Sequence, residues 1–162
     1  VTLPSVPVRQ SPENKFREYL TSRAKQQRFT KQQRDLVRLI FSRHHHFDAD
    51  GLVDDVKAAG LRISRATIYR NLSKLVEAGL LRRLEIGART FFEHDYGYPH
   101  HEHLVCEHCQ KIIEFQSQAI ETALRDICSE RGFQATAHTL IIRGVCSECN
   151  RARATKRRLD LI

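Results

Sequence analysis

No run of apolar residues in the 162-residue chain approaches the roughly 18 that a membrane-spanning helix needs, and no segment near its start has the pattern of a signal peptide. A soluble cytoplasmic protein that does not touch membrane is therefore expected. Internal repeats are absent, as is low-complexity sequence outside a basic C-terminal stretch, which excludes a repeat array. Proline is sparse, and three of the four prolines fall in residues 1–12, which read as a loose arm. There is no H-E-x-x-H element of the kind that builds a hydrolytic zinc site on a helix. Hydrophobic residues make up 41% of the chain, enough for a folded core of one substantial domain or two small ones.

What is present is unevenly distributed. Residues 1–95 carry a net charge of +7, residues 96–150 a net of −3, and residues 151–162 a net of +4. The positive charge thus lies in the part without cysteines and suits a polyanion partner. Cysteine behaves oppositely: Cys106-x-x-Cys109 and Cys146-x-x-Cys149 both lie in the acidic part. Short steps let two thiolates reach one ion, and two such steps complete a closed tetrahedral zinc site with no open position for catalysis. The 36 residues between the pairs must return the second to the first. The fifth cysteine, Cys128, shares a helical face with Ile120, Leu124 and Ile127 and reads as a packing residue.

In the basic part, Glu13 to about Lys25 reads as a helix, and Thr30 caps a second one bearing Leu36, Leu39 and Ile40. Asp50–Ala59 reads as a short helix, and Ser64 caps another whose apolar residues are Ile68, Leu72, Leu75 and Val76, stopped by Gly79. The outer face of this last helix carries Arg65, Thr67, Tyr69, Arg70 and Lys74. Two helices joined by a tight turn, followed by a hairpin over 81–86 and 89–93, form a winged helix-turn-helix, whose second helix suits the major groove. Asp95 to Pro99 forms a hinge. Beyond it come strands at 104–105, 112–115 and 137–143 and a helix from Ala119 to about Glu130, a small α/β domain.

Directly before the first cysteine pair runs His100-His101-Glu102-His103. In an extended segment, His101 and His103 face one side and His100 and Glu102 the other, so one strand can serve two cation sites. Glu93, His46, Glu114, Glu121 and His138 are candidates to complete them. Imidazole with carboxylate suits Fe(II), Mn(II), Co(II) or Zn(II). His44, His45, His94 and His108 read as surface histidines.

The helix Ser64-Arg-Ala-Thr-Ile-Tyr-Arg-Asn-Leu, Phe92-Glu93, the histidine run leading into Cys106-x-x-Cys109, Ile113-Glu114-Phe115 and Cys146-x-x-Cys149 together resemble the ferric uptake regulator family, over roughly residues 15–150. The resemblance implies an α+β chain, with an N-terminal winged helix-turn-helix DNA-binding domain (13–95), a hinge (96–101), a dimerisation and metal-binding domain (102–150) and a basic tail (151–162). It assigns structural zinc to Cys106, Cys109, Cys146 and Cys149. A regulatory metal falls to His46, Glu93, His101, His103 and Glu114, and an additional metal to His100, Glu102, Glu121 and His138. Many family members have Asp where this chain has Glu102, which lengthens the reach at the additional site. DNA contacts fall to Tyr69 and Arg70, with Arg28 near the minor groove. Zinc-sensing members often place cysteine in the regulatory set and peroxide-sensing members carry Asp where this chain has Glu93 and Glu114, so both features favour Fe(II); a zinc-, manganese- or peroxide-responsive member of the same family is the alternative. The implied function is a repressor, not an enzyme, that binds AT-rich palindromic operators in double-stranded DNA as a homodimer (or tetramer) and controls metal-uptake genes. A metalloenzyme and a zinc-stabilised interaction module are the rival readings.

Overall fold

The structure, a computed structural model, describes residues 6–23, 26–43 and 45–152. It divides into two compact units, one running to Pro99 and one beginning at His100.

The first unit opens with α1 (Pro12–Ser22), which has Pro at its first position and Ser11 as cap. In α2 (Lys31–Phe41) the Thr30 side chain accepts from the Gln33 N–H while Gln33 accepts from the Thr30 N–H, a reciprocal capping box. A two-residue strand β1 (Phe47–Asp48) follows, not expected from sequence because it is too short for a periodic signal. Asp48 then caps α3 (Ala49–Ala58), and Ser64 caps α4 (Arg65–Glu77). Gly79, at φ +61°, turns the chain out of α4 into β2 (Leu81–Ile86), which pairs antiparallel with β3 (Arg89–His94). The sheet order is β1-β3-β2.

Phe16, Leu20, Leu36, Ile40, Ile68, Leu72, Leu75 and Leu80 are at most 3% exposed and form one apolar core with β1 and β3. Polar groups within it are matched. Gln33 Nε2 donates to Asn71 Oδ1 at 3.0 Å, and Asn71 Nδ2 donates to the Thr67 carbonyl at 2.8 Å. The residue that closes the cap of α2 thereby fixes α2 against α4. Within the stretch expected as an arm, Val6 N–H donates to the Gly97 carbonyl and the Tyr96 hydroxyl to the Gln10 carbonyl.

The second unit contains β4 (Glu102–Cys106), β5 (Ile112–Phe115), α5 (Gln118–Glu130) and β6 (Ile141–Gly144). The sheet order is β5-β4-β6, with β4 antiparallel to β5 and parallel to β6. A parallel neighbour requires a crossover, which α5 provides. The last strand begins at Ile141 rather than 137, because the Leu140 N–H goes to the Glu102 carboxylate instead of a ladder partner. Cys128 also departs from expectation. No residue of α5 is buried, Ile127 is 57% exposed, and Cys128 is only half-buried.

Candidate metal centres and nucleic-acid interface

The first cysteine pair sits on a turn, where the Gln110 N–H donates to the Cys106 carbonyl with Gln110 in the left-handed region at φ 61°. The second pair opens a helical segment, 147–152, whose Asn150 N–H donates to the Cys146 carbonyl. Parallel pairing of Cys106 with Gly144 brings the second pair to the first. All four sulfurs lie within 4.8 Å of one another, and none is in a disulfide. Cys109 Sγ and Cys146 Sγ are 3.8 Å apart. A tetrahedron with metal–sulfur bonds of about 2.3 Å has an edge of about 3.8 Å, so the donor set fits zinc. Backbone N–H groups of Cys109 and Cys146 directed at Cys106 pull its thiol down to about 6. Hydrogen bonding with the Cys146 and Cys109 sulfurs pushes the Cys149 thiol up to about 12. One thiol ionises early and its charge opposes loss of the last proton. A divalent cation at the centre removes that opposition.

A second cluster lies on the same unit. Glu102 Oε1 is 2.9 Å from His100 Nε2 and 2.7 Å from His138 Nε2, and the two ring nitrogens are 2.9 Å apart. Burial raises the Glu102 carboxyl pKa, but hydrogen bonds from His138 and His100, the His100 charge and the Leu140 N–H outweigh it and hold the carboxyl below its ordinary value. Three donors converging on one point fit a cation of the imidazole–carboxylate class. Glu121, expected with them, lies on α5 and lines a cavity of about 740 Å³ with His100 and His138, but is not drawn into the cluster.

The residues expected at a regulatory site are grouped within each unit. In the first, His46 Nε2 lies 2.9 Å from Glu93 Oε2, both side chains nearly buried. Arg82, not foreseen, places Nη1 3.6 Å from the other Glu93 oxygen and is anchored by Asp95 at 2.7 Å. In the second, the rings of His101 and His103 are 5.0 Å apart, and His101 Nε2 is 4.0 Å from Glu114 Oε1. Strand register places Glu114 opposite His103.

Among the histidines read as surface residues, His45 and His108 are exposed, and His44 lies outside the described residues. His94 is a correction. It is 5% exposed, stacked on Phe41 at 4.5 Å, with Nε2 3.1 Å from the Ile40 carbonyl. It ends β3, where Phe92, Glu93 and His94 are buried in succession, and Phe41 and the Ile40 carbonyl receive its ring.

On α4, Arg65, Tyr69 and Arg70 are exposed. Thr67 is half-buried, its hydroxyl 2.9 Å from that of the capping Ser64. Lys74 is half-buried too, donating to Gln27 at 2.5 Å, and burial with the neighbouring Arg23 and Arg70 charges lowers its pKa. Arg28 is exposed in the segment between α1 and α2. Asp50, which the sequence marks only as the start of a helix, accepts from both Arg65 and Tyr69.

The family model described as the ferric uptake regulator family matches residues 24–143. The chain is 33% identical over 129 residues to the ferric uptake regulation protein of Campylobacter jejuni, covering 78% of this chain and 82% of that relative. Its structure is similar to that of the ferric uptake regulator from Francisella tularensis with iron, with a TM-score of 0.69, 27% identity, and coverage of 79% of this chain and 98% of that one. The ferric uptake regulator from Pseudomonas aeruginosa with manganese gives a TM-score of 0.66 at 28% identity, covering 74% of this chain and 90% of that one.

Proposed function

The chain belongs to the ferric uptake regulator family, and on that premise we propose that it is a metal-responsive repressor that binds AT-rich palindromic DNA as a homodimer when loaded with Fe(II). The observation that carries this reading is the contrast in what each unit exposes or encloses. The first presents Arg65, Tyr69 and Arg70 on one helix in front of a hairpin, a winged helix-turn-helix. The second encloses closely spaced cation donors.

Cys106, Cys109, Cys146 and Cys149 hold structural zinc. His100, Glu102 and His138 form an additional site, with Glu121 able to join only by moving. His46 and Glu93 of one unit, with His101, His103 and Glu114 of the other, serve the regulatory ion. A bound divalent cation supplies the positive charge that lets these imidazoles and carboxylates share one point. The residues do the rest. The set spans both units, so satisfying it restricts the angle between them. In a two-fold dimer that angle governs the spacing of the two α4 helices, which must approach about 34 Å to read successive major grooves. Leu104, Ile127, Phe133, Ile142 and Val145 leave apolar surface uncovered on the second unit, as a face awaiting a second copy would.

Arg70 and Arg28 supply phosphate contacts, and Tyr69 meets thymine methyl groups. By linkage, operator DNA tightens regulatory metal binding by the same factor by which metal tightens DNA binding. The test is an anaerobic gel shift on an AT-rich inverted repeat with Fe(II), Mn(II), Zn(II) or chelator. Metal-gated binding, strongest with Fe(II), is expected, and His101→Ala should bind equally with and without added metal. Normal metal gating in that variant would remove His101 from the regulatory set, and binding indifferent to metal in the unmodified protein would overturn the reading.

A further inference from the structure

Asp50 stands in the first turn of α3, beside the exposed N-terminal half of α4, and engages two of its side chains. Its Oδ1 accepts from Arg65 Nη2 at 2.6 Å and from the Tyr69 hydroxyl at 2.9 Å. The Arg65 guanidinium also lies 5.6 Å from the centre of the Tyr69 ring. None of this is interior packing. The Asp50 and Arg65 side chains are 67% and 65% exposed, and Tyr69 is 41% exposed. So open an ion pair contributes little to holding a fold. The neighbouring cleft between α4 and the hairpin, about 380 Å³, is lined by Asp50, Tyr69, Arg83 and Arg89. Arg83 there donates to Glu85 at 2.6 Å, so it too is paired with an internal acid.

A carboxylate on a surface that meets phosphates repels the polyanion and occupies a guanidinium that would otherwise bind it. We infer that Asp50 is a specificity-determining residue, an internal stand-in for phosphate at Arg65 that also steadies Tyr69. DNA of any sequence must displace it from Arg65, whereas only a sequence read through Tyr69 draws on the ordering that Asp50 gives that side chain, so loss of the Asp50 charge favours the two kinds of DNA unequally. This inference rests on the proposed DNA-binding role of α4.

Freeing Arg65 adds about one phosphate contact, which steepens the dependence of log K on log salt by about 0.9. Removing a negative charge a few ångströms from a phosphate in a water-like medium raises affinity roughly three- to tenfold. The experiment is fluorescence anisotropy with the metal-loaded full chain over a KCl series, using an AT-rich inverted-repeat duplex and a scrambled duplex of equal length. The proteins are the unmodified chain, Asp50→Asn, Arg65→Ala and the double variant. Asparagine keeps the size and the acceptor oxygen, so the fold is preserved and only the charge is lost.

Asp50→Asn should strengthen scrambled-duplex binding by that factor and strengthen inverted-repeat binding less. Discrimination between the duplexes therefore falls, and the scrambled-duplex salt slope steepens by about one. Adding Arg65→Ala should abolish both changes. An unchanged slope, an equal gain on both duplexes, or a gain that survives Arg65→Ala overturns the role of Asp50 while leaving DNA binding intact. Failure of the unmodified protein to bind either duplex overturns DNA binding itself.

Discussion

Up to Pro99 the chain closes around a cluster of buried apolar side chains, from Phe16 to Phe92. From His100 on, Val105 and Cys106 are the only buried apolar residues among those described, while His101, Glu102, His103 and Glu114 are buried beside them. Burying imidazoles and carboxylates costs desolvation, and a unit this small encloses too little apolar surface to offset its chain entropy. The first unit is therefore held by hydrophobic burial, whereas on the proposed reading the second is held largely by the cations its donors bind.

The largest expected effect separates them by removing zinc. Metal binding to four cysteines contributes on the order of 10–16 kcal/mol in small zinc domains, far more than the apolar burial seen in the second unit. In hydrogen exchange of chelator-treated protein, amides of β4, β5 and β6 should lose protection while those of α2 and α4 keep theirs. Cys106→Ser should do the same without chelator. Retained protection across β4 in zinc-free protein would show that the second unit has a core of its own and erase the contrast.

The converse perturbation is Leu72→Ala. Leu72 is 1% exposed at the centre of the first unit's core, so its truncation leaves a cavity and costs about 2–5 kcal/mol. Urea unfolding followed by aromatic signals of the first unit should shift accordingly, with zinc content unchanged at urea concentrations below that transition. Parallel loss of zinc would mean that the second unit leans on the first for its stability.

The sequence revealed most where a local rule operates alone. Thr30 and Ser64 mark the starts of α2 and α4 because capping depends on the next three residues only. The cysteine pairs announce a shared site because few other constraints produce such steps, and the four sulfurs do lie together. What was illegible depends on partners distant in the chain. His94 is interior because Phe41 and the Ile40 carbonyl receive it, and β6 starts late because Glu102 takes the Leu140 N–H. Glu121, which the family pattern groups with His100, lines the same cavity from α5 without being one of the three converging donors. The ion pairs of Arg82 and Asp50 left no signal, since a lone charge in a basic region looks the same whether or not it meets an opposite one.

The smallest effect lies on the surface of the first unit and shows how little that unit relies on charge. Glu77 links α4 to α1, accepting from the Tyr19 hydroxyl and from Arg23 Nη1, the latter at 2.7 Å. Hydrogen bonds from Tyr19 and then Arg23 hold its carboxyl below the ordinary 4.5, with slight desolvation opposing them. A carboxyl lowered in the folded state binds its proton less readily there than in the unfolded chain. Its contribution is therefore complete above the unfolded value and is lost as pH falls through the folded one. Glu77→Gln should consequently lower the first unit's urea midpoint slightly near neutral pH, and the difference from the unmodified protein should close as pH falls below the ordinary carboxyl value of 4.5. Because both partners are largely in water, the shift should be much smaller than that of Leu72→Ala. A comparable shift, or one that widens in acid, would mean that this surface network shares the work assigned here to the apolar core.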